Sequence, residues 1–428
     1  MESAFHLPGP APSRTRTVAF AGVPLSVAEL SGEDMRALLA ALRARPDRAS
    51  PAARARAVAA AARRFLDRGD PLRRRALAAL PALTGFSQAM IEQALPRAFG
   101  PLRERDLLGV ATRRSSPAVD LVGIVSAGNL PGVALAKAAL ALAAGAACLV
   151  KTASGEPLLA VLFAEALSEV DPSLATSLAV LWWEGGRGAC EAEFLRGADS
   201  IIAYGSDAAV GALRALAGRK VVGHAHRLSV AVVRLDVPRA APPPAEAAAL
   251  DVALYDQLGC LSPQCLYTVG GSLAQRAAFL EQLARALGEL DRRLPSGARD
   301  ASQAVAVRRL RDEYEWRALG GEPVSLRGGA GWTVIDDPTA GFRPSPLHRT
   351  VIVRRLDALE QLAAALGEWL PRVESVGMDP WPDPEAAAWI ARRGVPRVAP
   401  LGSMQSPGLD WRQGGRDPMA GIIQGEIA

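Results

Sequence analysis

Hydrophobic positions along this chain keep a helical period in the first quarter and then gather into strand-length apolar runs. Over residues 26–97, runs such as EDMRALLAALRAR and ARARAVAAAARRFLDRG set apolar and basic residues on opposite faces at helical spacing. Gly69, Pro71 and the Leu83-Thr84-Gly85 turn separate these helices. The first sixteen residues, rich in proline, serine and arginine, are expected to be loose. Further on, LVGIVSAG (121–128), ACLVKTAS (147–154), LAVLWW (178–183), part of GADSIIAYGS (197–206) and LSVAVVRLD (228–236) read as strands. Helices are predicted over 131–144, 156–170 and 207–217. Such alternation predicts βαβ units and a mostly parallel sheet, with ligands at the carboxyl ends of its strands. RAAPPPAEAAAL (239–250) is a proline-rich hinge. A second α/β unit follows, with helices over 245–258, 273–290 and 356–369 and strands at 264–269, near 330–335 and 350–354, and around 397–400. The pattern divides the chain into a helical region (1–110), a first α/β domain (111–238), a second (239–405) and a C-terminal tail (406–428).

Composition narrows the class. A chain of 428 residues, half of them hydrophobic and 22% charged, is globular and long enough for two or three domains. The formal charge of +5 comes from dispersed arginines, so no nucleic-acid partner is implied. Lys137, Lys151 and Lys220 are the only lysines, which makes each of them a position where arginine was not used. Cys148, Cys190, Cys260 and Cys265 form no CxxC pair and no metal-ligand ladder, so no metal site is expected and a reducing compartment fits. The N-terminal MESAFHLPGPAPSRTRTVAF lacks a signal-peptide pattern. The stretch 130–150 carries Lys137 and two glycines and reads as a buried helix running into a strand. A soluble, cytoplasmic protein is expected.

A few residues could carry chemistry. Cys260, in LYDQLGCLSPQCLYTV, falls on a loop between a helix and a strand, while Cys265 lies inside the strand, where cysteine usually behaves as a small apolar residue. Taken alone, Cys260 reads equally as core filler. Asn129, in SAGNLPG, sits where a helix cap would be. Gly205-Ser206 is a strand–turn–helix junction at which a backbone can approach a diphosphate. There is no GxGxxG after the first strand. His224 and His226, two apart on an expected strand, would face one side. Trp182-Trp183 reads as packing, and the arginine-rich helices at 52–75 as a solvated face.

DQLGCLSPQCLYTV, LVGIVSAGNLPGVALAKAALALAAGAACLVKTASGEP, ADSIIAYGSDAAVGALRA, PRVAPLGSMQSPGLDWRQGG and TGFSQAMIEQAL resemble the acyl-CoA reductase family. That family includes the fatty acid reductase of bacterial luminescence and is a branch of the aldehyde dehydrogenase superfamily. The blocks run in order from about residue 26 to the end. The resemblance implies an α/β, aldehyde dehydrogenase-like fold: a Rossmann-type cofactor domain, a catalytic domain carrying the nucleophilic cysteine, and a helical N-terminal region. It implies Cys260 as nucleophile, Asn129 with the Cys260 N–H as oxyanion hole, and Lys151, Ser154, Gly205 and Ser206 around a nicotinamide cofactor. Relatives preferring NAD often carry glutamate where Ser154 stands, so NADPH is expected, although Glu156 lies close by. Hydrolytic members carry a base glutamate where this chain has GHAHRLS; His224 or His226 could assist proton transfer there, with His226 the catalytic candidate, or both could be structural residues or a surface pair. The implied activity is reduction of a long-chain fatty acyl thioester, on CoA or an acyl carrier, to an aldehyde. Rivals are an acyl-transfer subunit dependent on partners and an oxidising aldehyde dehydrogenase. An acyl-activating or acyl-transferring protein partner and a homo-oligomer are also implied.

Overall fold

Apolar runs without alternation are what a sheet covered on both faces requires. Five such runs, β3 (Leu121–Val125), β4 (Ala147–Lys151), β5 (Leu178–Leu181), β6 (Ser200–Tyr204) and β7 (Val221–His224), lie almost wholly buried. In this computed structural model, which describes residues 2–9, 11–44, 49–113, 116–186, 188–237 and 244–425, they pair in the order β5-β4-β3-β6-β7, all parallel. Strand order reverses beside β3, so a crevice opens past the carboxyl ends of β3 and β6. Gly128 and Gly155, in the loops after β3 and β4, approach backbone to backbone there. A Cβ on Gly155 would lie 2.6 Å from the Gly128 carbonyl oxygen.

The second sheet has seven strands: β8 (Leu228–Arg234), β9 (Pro263–Val269), β10 (Ser325–Gly328), β11 (Thr333–Asp336), β12 (Thr350–Leu356), β13 (Val373–Asp379) and β14 (Arg397–Pro400). Their order is β10-β11-β12-β9-β8-β13-β14, and only the edge strand β10 runs antiparallel to its neighbour. Separate apolar clusters pack on its two faces.

The structure corrects several expectations. β8, counted above with the first α/β domain, hydrogen-bonds into the second sheet, so the chain changes sheets across residues 225–227. Much of the proline-rich hinge (238–243) lies outside the described residues. His224 ends β7 and His226 follows in the connecting turn, so the two do not share a strand.

The leader is not loose. Ala4 is fully buried and donates its N–H to Ser26 at 2.7 Å. His6 exchanges two 2.8 Å bonds with Val180, covering the open edge of β5. A hairpin of β1 (Thr15–Phe20) and β2 (Val23–Ala28) follows. Arginines of the 52–75 helices are committed rather than merely solvated: Arg64 pairs with Asp70 and Glu169, Arg75 with Glu2 and Glu165.

At the other end, the tail returns to the first sheet. Ile422 and Ile423 are buried, Val119 donates to Ile422 at 2.9 Å, and Gln424 donates to Pro117 at 2.9 Å. The stretch expected as a helix at 356–369 is a short helix, Leu362–Leu366, between two 3₁₀ turns. Helices Ala301–Leu319 and Pro384–Ala391 were not foreseen. Among the described residues no helix is long and apolar enough to cross a membrane.

Candidate active site

Where the two sheets meet, a cleft of about 560 Å³ is lined by Asn129, Tyr204, Gly205, Ser206, His224, His226, Cys260 and Glu374, among others. Each comes from a strand end or from a loop next to a strand. Asn129 is in the loop after β3, Tyr204 closes β6, His224 closes β7, Glu374 opens β13, and Cys260 lies on the loop entering β9. Six residues singled out from sequence therefore share one cleft: Asn129, Gly205, Ser206, His224, His226 and Cys260.

Cys260 is half-buried, and its loop is fixed from several directions. Ser229 Oγ donates to the Cys260 carbonyl at 2.7 Å, and Gln405 Nε2 donates to Ser262 Oγ at 2.6 Å. Asn129 Nδ2 donates to the Leu258 carbonyl at 3.0 Å, spanning the gap between the sheets. The helix after Asn129 begins only at Leu135 and has no side-chain cap, so Asn129 is not a helix cap. Its amide carries two N–H groups, of which the Leu258 carbonyl takes one. Cys265 lies fully buried in β9, as its strand position implied.

Charges set the resting state of the thiol. Burial, reinforced by the Glu374 carboxylate, pushes Cys260 up to about 12, against the pull of Arg397 and Arg227. At neutral pH the thiol is protonated, and a nucleophilic role requires somewhere for that proton to go. The half-buried His224 ring stacks on Tyr204 with centroids 4.9 Å apart, and its Nε2 has no hydrogen-bond partner. Burial and the nearby Lys137, Arg416 and Arg227 push His224 down to about 3, so it is neutral at physiological pH. His226 is exposed at the cleft mouth, with its N–H donated to Asp207 Oδ1 at 3.1 Å.

Glu374 went unrecognised in the sequence. It is fully buried, accepts from the Gly414 N–H at 2.9 Å, and lies 3.9 Å from Arg227. A glutamate next to the valine that opens the strand VESVGMD was the available signal.

Lys151 and Ser154 are not in this cleft. Lys151 ends β4 and Ser154 follows in the loop after it, next to a groove of about 230 Å³ lined by Trp182, Trp183, Arg16, Glu29 and Cys190. Lys151 Nζ lies 5.3 Å from the Trp183 ring centroid, and Trp182 Nε1 donates to Ser154 Oγ at 3.1 Å. Glu156 is buried and accepts from the N–H groups of Leu158 (2.9 Å), Leu159 (2.7 Å) and Gly132 (3.4 Å). It therefore caps the helix Leu159–Val170 and braces the loop after β3. Ser206 caps the helix Asp207–Ala217, accepting from Ala209 at 3.2 Å, and Arg372 pairs with Asp207 at 2.9 Å in its first turn.

Residues 111–415 match the family described as Acyl-CoA reductase (LuxC). The chain is 25% identical over 289 residues to a long-chain acyl-protein thioester reductase of Aliivibrio fischeri, covering 64% of this chain and 57% of that protein. Against long-chain acyl-protein thioester reductase 2 of Photobacterium leiognathi it is 24% identical over 263 residues, covering 60% and 52%. It thus spans little more than half the length of these curated relatives. The aldehyde dehydrogenase KauB from Pseudomonas aeruginosa has a similar structure, with TM-score 0.76 at 18% identity, covering 97% of this chain and 92% of that one. An NAD-dependent benzaldehyde dehydrogenase from Corynebacterium glutamicum gives 0.68 at 17%, covering 94% and 92%. These likenesses show the fold, which is the aldehyde dehydrogenase-like one that the sequence implied.

Proposed function

The chain belongs to the acyl-CoA reductase (LuxC) family, and from that premise we propose that it reduces an acyl thioester to an aldehyde through an acyl-enzyme on Cys260, using NADPH. The observation that supports this best is the single cleft shared by Cys260, Asn129 and the Gly205-Ser206 turn.

Cys260 sulfur attacks the thioester carbonyl, and the oxyanion is received by the Cys260 N–H and by the Asn129 N–H that Leu258 leaves free. Collapse expels the carrier thiolate and leaves the acyl group on Cys260. The proton lost by the Cys260 thiol must reach that departing sulfur. We assign its transfer to His224 rather than His226, because His224 Nε2 is buried without a hydrogen-bond partner among the described residues, whereas His226 is exposed. A bound dihydronicotinamide would supply the hydride that reduces the acyl carbon. Asn129 and the Cys260 N–H then serve the second tetrahedral oxyanion as they did the first. Its collapse releases aldehyde and returns Cys260 as thiolate, to be reprotonated.

The residues present fit the cofactor. Lys151 and the tryptophan-lined groove suit the adenosine half, and the Ser206-capped helix N-terminus suits the diphosphate. Glu156, the carboxylate that would have favoured NADH, is spent on three backbone N–H groups. That leaves Ser154, a side chain that itself carries no negative charge to repel a 2′-phosphate, for the ribose. The names of the curated relatives favour a long-chain acyl group, delivered here on CoA or on a carrier protein. The four free thiols favour a reducing compartment, the cytoplasm, and a homo-oligomer is in keeping with the superfamily.

Mixing the protein with labelled acyl-CoA and weighing it intact tests the centre of this reading. Cys260→Ala is expected to take up no label, and Cys265→Ala to be acylated like the parent. Label retained on Cys260→Ala would sink the assignment. NADPH consumption with acyl-CoA alone separates a complete reductase from an acyl-transfer subunit.

A further inference from the structure

Behind the Cys260 loop, two left-handed turns are locked together. Tyr255, Asp256 and Gln257 have φ of 54°, 50° and 66°, and Leu347, His348 and Arg349 have φ of 66°, 52° and 57°. None is glycine, and each step of such a run crowds Cβ against the following carbonyl. Conformations of this kind persist only where the surroundings over-determine them.

Here the side chains of each turn hold the other. Arg349, with no exposed surface, donates Nε–H to Asp256 Oδ1 at 2.8 Å, and Asp291 stands 3.2 Å from its Nη1. Asp256 Oδ2 accepts from the Gly297 N–H at 2.9 Å. Gln257 Oε1 accepts from the Thr350 N–H at 2.9 Å, while its Nε2 donates to Pro263 at 2.8 Å. The first turn runs directly into Leu258, Gly259 and Cys260, and the second into β12, so the links bind the nucleophile loop to the central sheet. Gln257 and Leu347 reach the cleft wall, but neither Asp256 nor Arg349 is among the residues lining it.

We propose that Asp256 and Arg349 are positioning residues whose buried ion pair sets the Cys260 thiol and backbone N–H against the Asn129 amide. Leu258, whose carbonyl Asn129 grips, is only two residues beyond Asp256. A turn that relaxes at Asp256 therefore shifts the Leu258 carbonyl and the Cys260 N–H together, away from Asn129. The proposal rests on the reading of Cys260 as nucleophile.

The deciding variant is the double change Asp256→Asn with Arg349→Met. Removing one partner alone strands a fully buried charge and can unfold the chain, whereas removing both leaves only the partly exposed Asp291 without its contact to Arg349. The full-length double variant is expected to fold and to bind NADPH with a Kd within about threefold of the parent. Its acylation by acyl-CoA should slow at least about tenfold, the cost of a small misplacement of reacting groups. Hydrogen exchange over residues 254–262 should accelerate while the five-stranded sheet stays protected, and alkylation of Cys260 by iodoacetamide, read on its own peptide, should change rate. A double variant with parental acylation, exchange and alkylation overturns the proposal. If it does not fold, Arg349→Lys decides, since it keeps the cation and loses the fixed fork of donors. Parental rates in that variant overturn the proposal, and slowing by about threefold or more with a normal melt supports it. Should Cys260→Ala still be acylated, the nucleophile reading fails, and exchange with alkylation still judge the positioning.

Discussion

Changing Asn129 tests whether the contact across the cleft does chemistry or only holds two loops together. In the resting structure one N–H of its amide is spent on the Leu258 carbonyl at 3.0 Å, and the side chain caps no helix. Asn129→Ala removes both donors. The pinning bond is a neutral one at an exposed residue, so its loss should cost stability of only about 0.5–1.5 kcal/mol. The lost oxyanion donor is worth far more in rate, about 10²–10³ in acylation. NADPH affinity should stay near the parent's, because the interaction is made only in the transition state. Asn129→Asp sharpens the contrast. Its ionised carboxylate has no N–H to offer, faces the Leu258 carbonyl with like partial charge, and repels the developing oxyanion. It should acylate at least as slowly as the alanine variant and melt no higher. Rapid-mixing acylation by acyl-CoA, thermal melts and NADPH titration of both variants give the three quantities. An Asp variant that acylates at the parental rate refutes the oxyanion role and leaves Asn129 as a loop tie.

Two further outcomes follow from the same cleft and its neighbouring groove. Ser154→Glu is expected to erode or reverse the preference for NADPH over NADH in steady-state kinetics, by repelling a 2′-phosphate and accepting from free ribose hydroxyls; equal efficiency of the two cofactors with the parent would remove the argument. His224→Asn should slow acylation by about 10²–10⁴ at pH 7 while His226→Asn acylates like the parent. With the Cys260 thiol at about 12 and His224 at about 3, thiolate rises and His224 stays neutral as pH is raised from 7 to 10. The His224→Asn defect should therefore shrink toward high pH, where hydroxide can take the proton. A pH-independent defect, or a larger defect in His226→Asn, would overturn the assignment.

What the sequence disclosed depended on whether neighbours in space were also neighbours in the chain. β3, β4, β5 and β6 were legible because a parallel sheet buries both faces, and LVGIV or LAVL can hardly be anything else. The helix Ala301–Leu319 was hidden because it buries only Val307, Leu310 and Tyr314 beneath a charged surface. The leader looked loose because its partners, Ser26 and Val180, are distant in sequence. The strand expected to carry both His224 and His226 stops at His224, because residues 225–227 take the chain from β7 into β8 of the other sheet.

The candidate site divides in the same way. Cys260, Asn129, Gly205 and Ser206 were singled out through the family resemblance of the motifs that carry them, and one crevice collects them. The choice between His224 and His226 could not be made locally, since it turns on where β7 stops: at His224, which leaves His226 exposed in the turn that follows. The ion pair behind the nucleophile was the least legible feature. A left-handed turn usually declares itself by glycine or asparagine, yet Tyr255-Asp256-Gln257 and Leu347-His348-Arg349 contain neither. Local preference argues against both turns, at roughly 1 kcal/mol or more per residue. Only the contacts between segments more than ninety residues apart, Arg349 with Asp256 and Thr350 with Gln257, make them the better choice. Strain of that size next to the Cys260 loop fits the positioning role proposed for the pair, since the loop it delivers is the one that Asn129 grips at Leu258.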